Sequence, residues 1–222
     1  MHDNQYYKNA ALARLNGNWS PAVVATIIYL LVSILISGLD AAHSGAAGAS
    51  FPVGDMMLWS GVSTVLMVFV LCPLGVGYAN ATRLMYETGN VSVAGNMWAF
   101  ATNNYLHKVL GMLFMAIKVL LWTCLLVVPG LIMSFAYAMT PYILEEHPEI
   151  SAWEASTRSR EMMKGHKFDL FYLYLSFIGW GILACITCGI GFIWLMPYMQ
   201  LSVAAFYNDL KGGDGNPTIV VG

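Results

Sequence analysis

The sequence predicts an all-α membrane protein whose six transmembrane helices form three hairpins, each preceded by a polar or amphipathic surface helix on the cytoplasmic side. Three observations support this fold class. The 222 residues are 58 % hydrophobic and only 10 % charged, whereas soluble domains have about 25 % charged residues. Six apolar segments approach the roughly 20 residues that cross a hydrocarbon core, and most basic residues lie on one side of them.

The predicted spans divide a single integral membrane domain, residues 1–222. They are 21–39, 56–79, 109–128, 131–144, 168–186 and 190–206. The first could instead be a signal peptide, because small residues follow it, but its apolar run exceeds the usual h-region of about 7 to 15 residues. The fourth is short, so a five-span alternative would run 116–144 as one helix kinked at Pro129.

The orientation follows from the basic residues, because Lys and Arg in short loops mark the cytoplasmic side. Nine of the ten lie on the side that holds both termini: Lys8, Arg14, Arg83, Lys108, Arg158, Arg160, Lys164, Lys167 and Lys211. The five-span alternative would place the four basic residues of segment 151–167 outside. We therefore expect cytoplasmic N- and C-termini.

Segment 151–165 is predicted to be a cytoplasmic interfacial helix. Ser151 and Glu154 have the spacing of a capping box, and Gly165 suits the residue that ends a helix. One face carries mainly small residues: Ala152, Ala155, Ser156, Ser159 and Met163. Small residues four apart let helices approach closely, so this face should dock on the protein's own membrane helices. The alternative is a loop helix that only orients the fifth span.

The membrane spans contain one candidate polar site. Lys118 lies about ten residues into the third span, where a charge costs roughly 2.5 to 3.5 kcal/mol. The three returning spans contain Pro73, Pro141 and Pro197, and each proline frees a backbone carbonyl that needs a partner. These residues would suit a substrate or ion site. The alternatives are structural kinks and a lysine that snorkels to the interface.

Two further sets of residues resemble reactive sites. Cys185 and Cys188 have the spacing of a redox or metal-binding pair, although they would also serve as small packing residues. Glu145, Glu146, His147 and His166 contain metal-ligating groups but show no helical His/Glu repeat. We predict no metal and no cofactor. A net charge of −2 and a pI near 6.2 give no electrostatic footprint for nucleic acid.

A family resemblance covers the second half of the chain. The run "PGLIMSFAYAMTPYILEEHPEISAWEASTRSREMMKGHKFDLFYLYLSFIGW", followed by "GIGFIWLMPYMQLSVAAFYNDL", is similar to the bacterial integral membrane family called domain of unknown function 975. The resemblance is specific over 129–210 and looser upstream, where ALARLNGNW fits. It implies a multi-span protein of the bacterial inner membrane and supplies no catalytic residues. Lys118, Cys185 and Cys188 depart from the family pattern.

The predicted function is that of a non-enzymatic membrane component that binds membrane lipid or a partner protein. The chain has no phosphate loop, no GxSxG elbow and no HExxH motif, so an enzyme is the least supported class. The alternative is a small permease that uses the proline-kinked helices and Lys118. A third hypothesis, a membrane thiol enzyme, would need Cys185 and Cys188 to be reactive from outside.

Overall fold

A computed structural model describes residues 2–45, 53–89, 92–98, 105–125 and 127–212. These residues are largely helical and include no strand, which confirms the all-α class. The connection between the first two predicted spans lies partly outside the described ranges. In chain order the helices are α1 (Asn4–Leu15), α2 (Trp19–Gly45), α3 (Val53–Leu66), a π-helical segment (Met67–Leu71), α4 (Cys72–Thr88), α5 (Val93–Met97), α6 (Tyr105–Leu125), α7 (Val127–Ala136), α8 (Thr140–Glu146), α9 (Ala152–Met162), α10 (Lys167–Leu175), α11 (Ile178–Ile186) and α12 (Phe192–Gly212).

Four helical segments of the described chain are long and apolar enough to cross a membrane. They are Trp19–Gly38, Met57–Thr88, Tyr105–Thr123 and Lys167–Ile186. These segments overlap the first, second, third and fifth predicted spans. Their length and composition are those of a membrane protein.

The fourth and sixth predicted spans are not among those four segments. Segment 131–144 is divided, because α7 ends at Ala136 and α8 begins at Thr140. Pro141 lies in the first turn of α8, where a residue without an N–H is tolerated. Most of segment 190–206 lies in α12, which contains Pro197 and continues through polar residues to Gly212.

The chain reverses between α6 and α7, which pack against each other. Gly130 marks the closest approach, because a Cβ atom there would lie 2.7 Å from the Thr123 Cα. Residues seven apart in one continuous helix are separated by roughly 10 Å. The single helix through 116–144 that the five-span alternative requires is therefore wrong.

The turn between α11 and α12 is equally tight at Gly191. A Cβ atom at Gly191 would lie 2.7 Å from the Ala184 Cα, which is too close for van der Waals contact. We expect Gly191→Ala to lower the free energy of unfolding by about 1 to 3 kcal/mol, as measured by thermal unfolding in detergent. The control is Gly179→Ala in α11, where the added methyl group meets open space. Equal destabilisation by the two variants would contradict the tight turn.

The best-packed part of the molecule surrounds α4 and α12. Most of α4 from Pro73 to Tyr86 is buried, as is most of α12 from Leu201 to Tyr207. Helix α1 covers α12, with the ring centroids of Tyr7 and Phe206 5.3 Å apart. Other helices expose large apolar side chains, among them Leu31, Ile34, Leu35, Leu120, Leu121, Trp122, Ile182, Leu183 and Ile186. An apolar surface of this kind suits contact with lipid.

Helices α1, α5 and α9 precede the three apolar stretches that begin with α2, α6 and α10. Helix α5 packs on α4 and α2, and α9 packs on α8 and α6. Each of these two helices therefore contacts helices that precede it in the chain. Helix α1 has no preceding helix and packs on α12, the last one.

Candidate functional site

Lys118 lies on α6 within a cluster of aromatic side chains. Its Nζ donates a hydrogen bond to the Ser156 Oγ at 2.8 Å. The same nitrogen lies 3.9 Å from the ring centroid of Trp153, 4.4 Å from that of Phe114 and 5.4 Å from that of Tyr137. We call Lys118 and these four partners the lysine cage.

The lysine cage gives an ammonium group a favourable place within an apolar segment. A cation over an aromatic face gains about 0.5 to 2 kcal/mol, with the larger value where water is excluded. Three rings and one hydroxyl together offset a substantial part of the cost of placing a charge at this position. Because Trp153 and Ser156 belong to α9, the cage also joins α9 to α6.

The small-residue face of α9 packs on the neighbouring helices. Ala155, Ser156, Ser159 and Met163 are all fully buried, whereas Ala152 is half-buried. The structure thus brings together the residues that the sequence predicts as a docking face. Their short side chains allow α9 to approach the backbones of α6, α7 and α8.

Ser159 joins α9 to the interruption between α7 and α8. Its Oγ donates to the Ala136 carbonyl at 2.9 Å and accepts from the Met139 N–H at 3.2 Å. A helix end leaves such backbone groups without a partner inside the helix. One serine hydroxyl therefore satisfies two backbone groups at the break, which explains how the break is tolerated in a buried place.

The opposite side of α9 faces solvent. The Ser151 Oγ accepts from the Glu154 N–H at 3.2 Å and caps the helix. Helix α9 ends at Met162, three residues before Gly165, which has the left-handed φ of 82° that glycine accommodates best. Glu154 and Arg158 form an exposed ion pair at 2.8 Å.

The three prolines lie in separate helices. Pro73 is near the start of α4, just after the π-helical segment, Pro141 begins α8, and Pro197 lies within α12. The contacts described for Lys118 come from aromatic and serine side chains and not from these prolines. The structure therefore does not gather Lys118 and the prolines into one contact cluster.

The cysteine pair lies at the connection between α11 and α12. Cys185 and Cys188 are both exposed free thiols. Cys188 has a φ of 53°, which non-glycine residues seldom adopt. Since both side chains are exposed, neither acts as a small packing residue in the protein core.

The structure also contains a polar network around Glu146 that the sequence does not reveal. The Tyr207 hydroxyl donates to the Glu146 Oε2 at 2.6 Å, Lys211 pairs with the same carboxylate, and the Arg83 Nη1 lies 3.8 Å from it. Burial raises the pKa of Glu146, but the hydrogen bonds from Lys211 and Tyr207 and the nearby positive charges outweigh it, so the pKa lies below its usual value. This network joins α4, α8 and α12 through a carboxylate that stays ionised.

Next to Glu146, Glu145 forms a buried ion pair. Its Oε1 lies 2.8 Å from the Lys108 Nζ, and the two side chains are only 7 % and 3 % exposed. The two histidines near these carboxylates are engaged elsewhere, since His147 pairs with Glu149 and His166 with Asp169. Among the described residues, no group of three metal-ligating side chains could hold an ion.

The sequence contained a partial signal for these contacts. The third predicted span contains Lys118, and the small-residue face of segment 151–165 contains Ser156. Both side chains need polar partners when they are buried. Lys118 and Ser156 are 38 residues apart, and Glu146 and Tyr207 are 61 apart. Spacing along the chain cannot pair residues at such separations, so the pairing required the folded arrangement.

One family model matches a region of the chain that includes much of this site. The sequence model of the family described as "Protein of unknown function (DUF975)" matches residues 123–213, less than half of the chain, which confirms the resemblance seen in the run at 129–210. The matched region contains α9, Glu146 and Tyr207, whereas Lys118 lies before it. No curated protein and no solved structure matched the chain.

Proposed function

We propose that this chain is a non-enzymatic integral component of a bacterial cytoplasmic membrane that binds membrane lipid or a partner protein. In this proposal six spans form three hairpins: α2 with α3 and α4, α6 with α7 and α8, and α10 and α11 with α12. Helices α1, α5 and α9 lie at the cytoplasmic side together with both termini. The four long apolar helices, the one-sided distribution of basic residues and the packing of α1, α5 and α9 support it.

The observation that carries the proposal is that the Lys118 ammonium group already has hydrogen-bond and cation–π partners within the protein. A permease that used this charge would need the ammonium group to meet water and to exchange partners during transport. Here the Nζ is bound to Ser156 at 2.8 Å and lies within 5.4 Å of three ring centroids. Such a group fits a role in holding α9 in place better than a role in carrying a solute.

A docked α9 gives the cytoplasmic side a fixed polar surface. Glu154, Arg158, Arg160, Glu161 and Lys164 are exposed, while the opposite face is anchored by Ala155, Ser156 and Ser159. Because the helix is held at several points, its charged groups keep a defined spacing. A preorganised surface loses less conformational entropy when it binds.

The proposal is tested by extraction of the protein in native lipid discs, followed by mass spectrometry of the lipids and proteins that co-purify. We expect the wild type to retain a specific lipid or protein near a one-to-one ratio. The double variant Ala155→Trp/Ser159→Trp should lose at least four-fifths of it, because two bulky rings cannot fit at buried positions. Glu161→Trp, on the exposed side of α9, is the control and should retain it.

The opposite results would contradict the proposal. If nothing specific co-purifies with the wild type, the binding role has no support. If Lys118→Leu then abolishes uptake of a solute by reconstituted vesicles while the protein stays folded, the permease alternative replaces it.

A further inference from the structure

We propose that one flank of α9 binds the phosphate headgroups of anionic phospholipids, with Arg160 and Lys164 as the ligands. This inference deepens the proposed function and rests on it, because it names a lipid class and the side chains that select it. The flank, which we call the basic flank, consists of Trp153, Thr157, Arg160 and Lys164.

The geometry of the helix separates two kinds of charged residues. At about 100° per residue, Trp153, Thr157 and Arg160 lie within a sector of roughly 60°, and Lys164 follows on the same side in the closing turn. Glu154, Arg158 and Glu161 lie on the other solvent-facing flank. The acidic residues of α9 are therefore all on one flank, and the basic flank has two positive charges and no carboxylate.

The two basic side chains are available for a ligand. Arg160 and Lys164 are exposed, and within the described ranges neither has a carboxylate within ion-pair distance. Arg158 differs, because its Nη2 lies 2.8 Å from the Glu154 Oε1. Phosphate oxygens attract guanidinium and ammonium groups through charge-assisted hydrogen bonds, so the unpaired charges complement an anionic headgroup.

The basic flank adjoins a surface that suits acyl chains. Trp153 is 63 % exposed, and its ring centroid lies 5.6 Å from that of Phe114 on α6. Helix α6 also exposes Leu110, Leu113 and Ile117. Trp153 therefore connects the apolar surface of α6 with the two basic side chains of the flank, so acyl chains along α6 would lie next to Arg160 and Lys164.

The expected preference is for anionic over zwitterionic lipid. A basic residue near an anionic membrane surface contributes about 1 kcal/mol, which corresponds to roughly a fivefold change in affinity. A partner protein with an acidic surface is the other occupant that such charges would attract. The experiment distinguishes lipid from a partner protein because only lipid is added to the purified protein.

The test uses the purified full-length protein, equilibrated in detergent with equal amounts of phosphatidylglycerol and phosphatidylcholine, and counts the retained lipids by native mass spectrometry. We expect the wild type to prefer phosphatidylglycerol. Arg160→Gln should reduce that preference about fivefold, and Arg160→Gln/Lys164→Gln about 25-fold. The matched control is Arg158→Gln, which removes the same charge from the other flank and should change the preference less than twofold.

A second measurement does not depend on any variant. At roughly 1 M salt the Debye length falls to about 3 Å, so the wild-type preference for phosphatidylglycerol should largely disappear. A preference that survives at this ionic strength overturns the headgroup assignment. An equal loss in Arg158→Gln and Arg160→Gln overturns the choice of flank.

Different results would contradict the anionic-lipid site and the proposed binding role. If the wild type shows no lipid preference but a protein co-purifies from native discs, the binding role stands and the anionic-lipid site is wrong. If neither lipid nor protein is retained specifically, both proposals are wrong.

Discussion

Replacing Glu145 by glutamine is expected to lower the free energy of unfolding by about 3 to 5 kcal/mol. The reason is the position of Lys108, whose side chain is 3 % exposed and lies 2.8 Å from the Glu145 carboxylate. Without the negative charge, the ammonium group stays buried with no counter-charge. The measurement is thermal or denaturant unfolding of the purified protein in a fixed detergent.

Two controls distinguish this effect from general loss of an ion pair. Glu154→Gln removes the partner of Arg158 in an exposed pair, where the side chains are 46 % and 49 % exposed, and should cost less than about 1 kcal/mol. The double variant Lys108→Met/Glu145→Leu removes both buried charges and should recover much of the lost stability. If Glu145→Gln and Glu154→Gln had the same effect, the buried pair would not be a stabilising contact.

The second large effect is expected from Ala155→Trp, which should release α9 from the bundle. Ala155 is fully buried, and the close packing of α9 on α6 and α8 leaves no room for an indole ring. Limited proteolysis measures the release, because trypsin cleaves after Arg158, Arg160 and Lys164 only when the helix unfolds locally. We expect cleavage at these sites to accelerate at least tenfold.

The control for this prediction places the same side chain on the other face of the helix. Glu161 is exposed, so Glu161→Trp should leave the cleavage rate within about twofold of the wild type. Similar acceleration in the two variants would mean that α9 is not held by its small-residue face.

The all-α class and the helix at 152–162 were predictable because their signals are local. Hydrophobic composition and span length indicate membrane helices. The capping box at Ser151 and the small residues of segment 151–165 indicate a helix that docks closely. These features depend on residues within one or two turns of each other, so the sequence contains them directly.

The interruptions of the helices and the polar contacts were not predictable. In segment 131–144 the sequence indicates an interruption only through Pro141. The helix already ends at Ala136, where the free backbone groups bond to Ser159, 20 and 23 residues later. Likewise, Trp153 approaches Lys118 only after α9 folds back on α6. Such contacts depend on tertiary structure, which overrides local patterns.

The measurement that tests the central claim most directly is amine footprinting of the wild-type protein in native lipid discs. A water-soluble amine reagent is applied, and peptide mass spectrometry gives the modification rate of each lysine. Because the Lys118 Nζ is held by Ser156 and three rings, we expect Lys118 to react at least tenfold more slowly in the wild type than in Ala155→Trp/Ser159→Trp, where those contacts are lost. Equal modification of Lys118 in the wild type and in that variant would show an ammonium group open to water and would contradict the lysine cage.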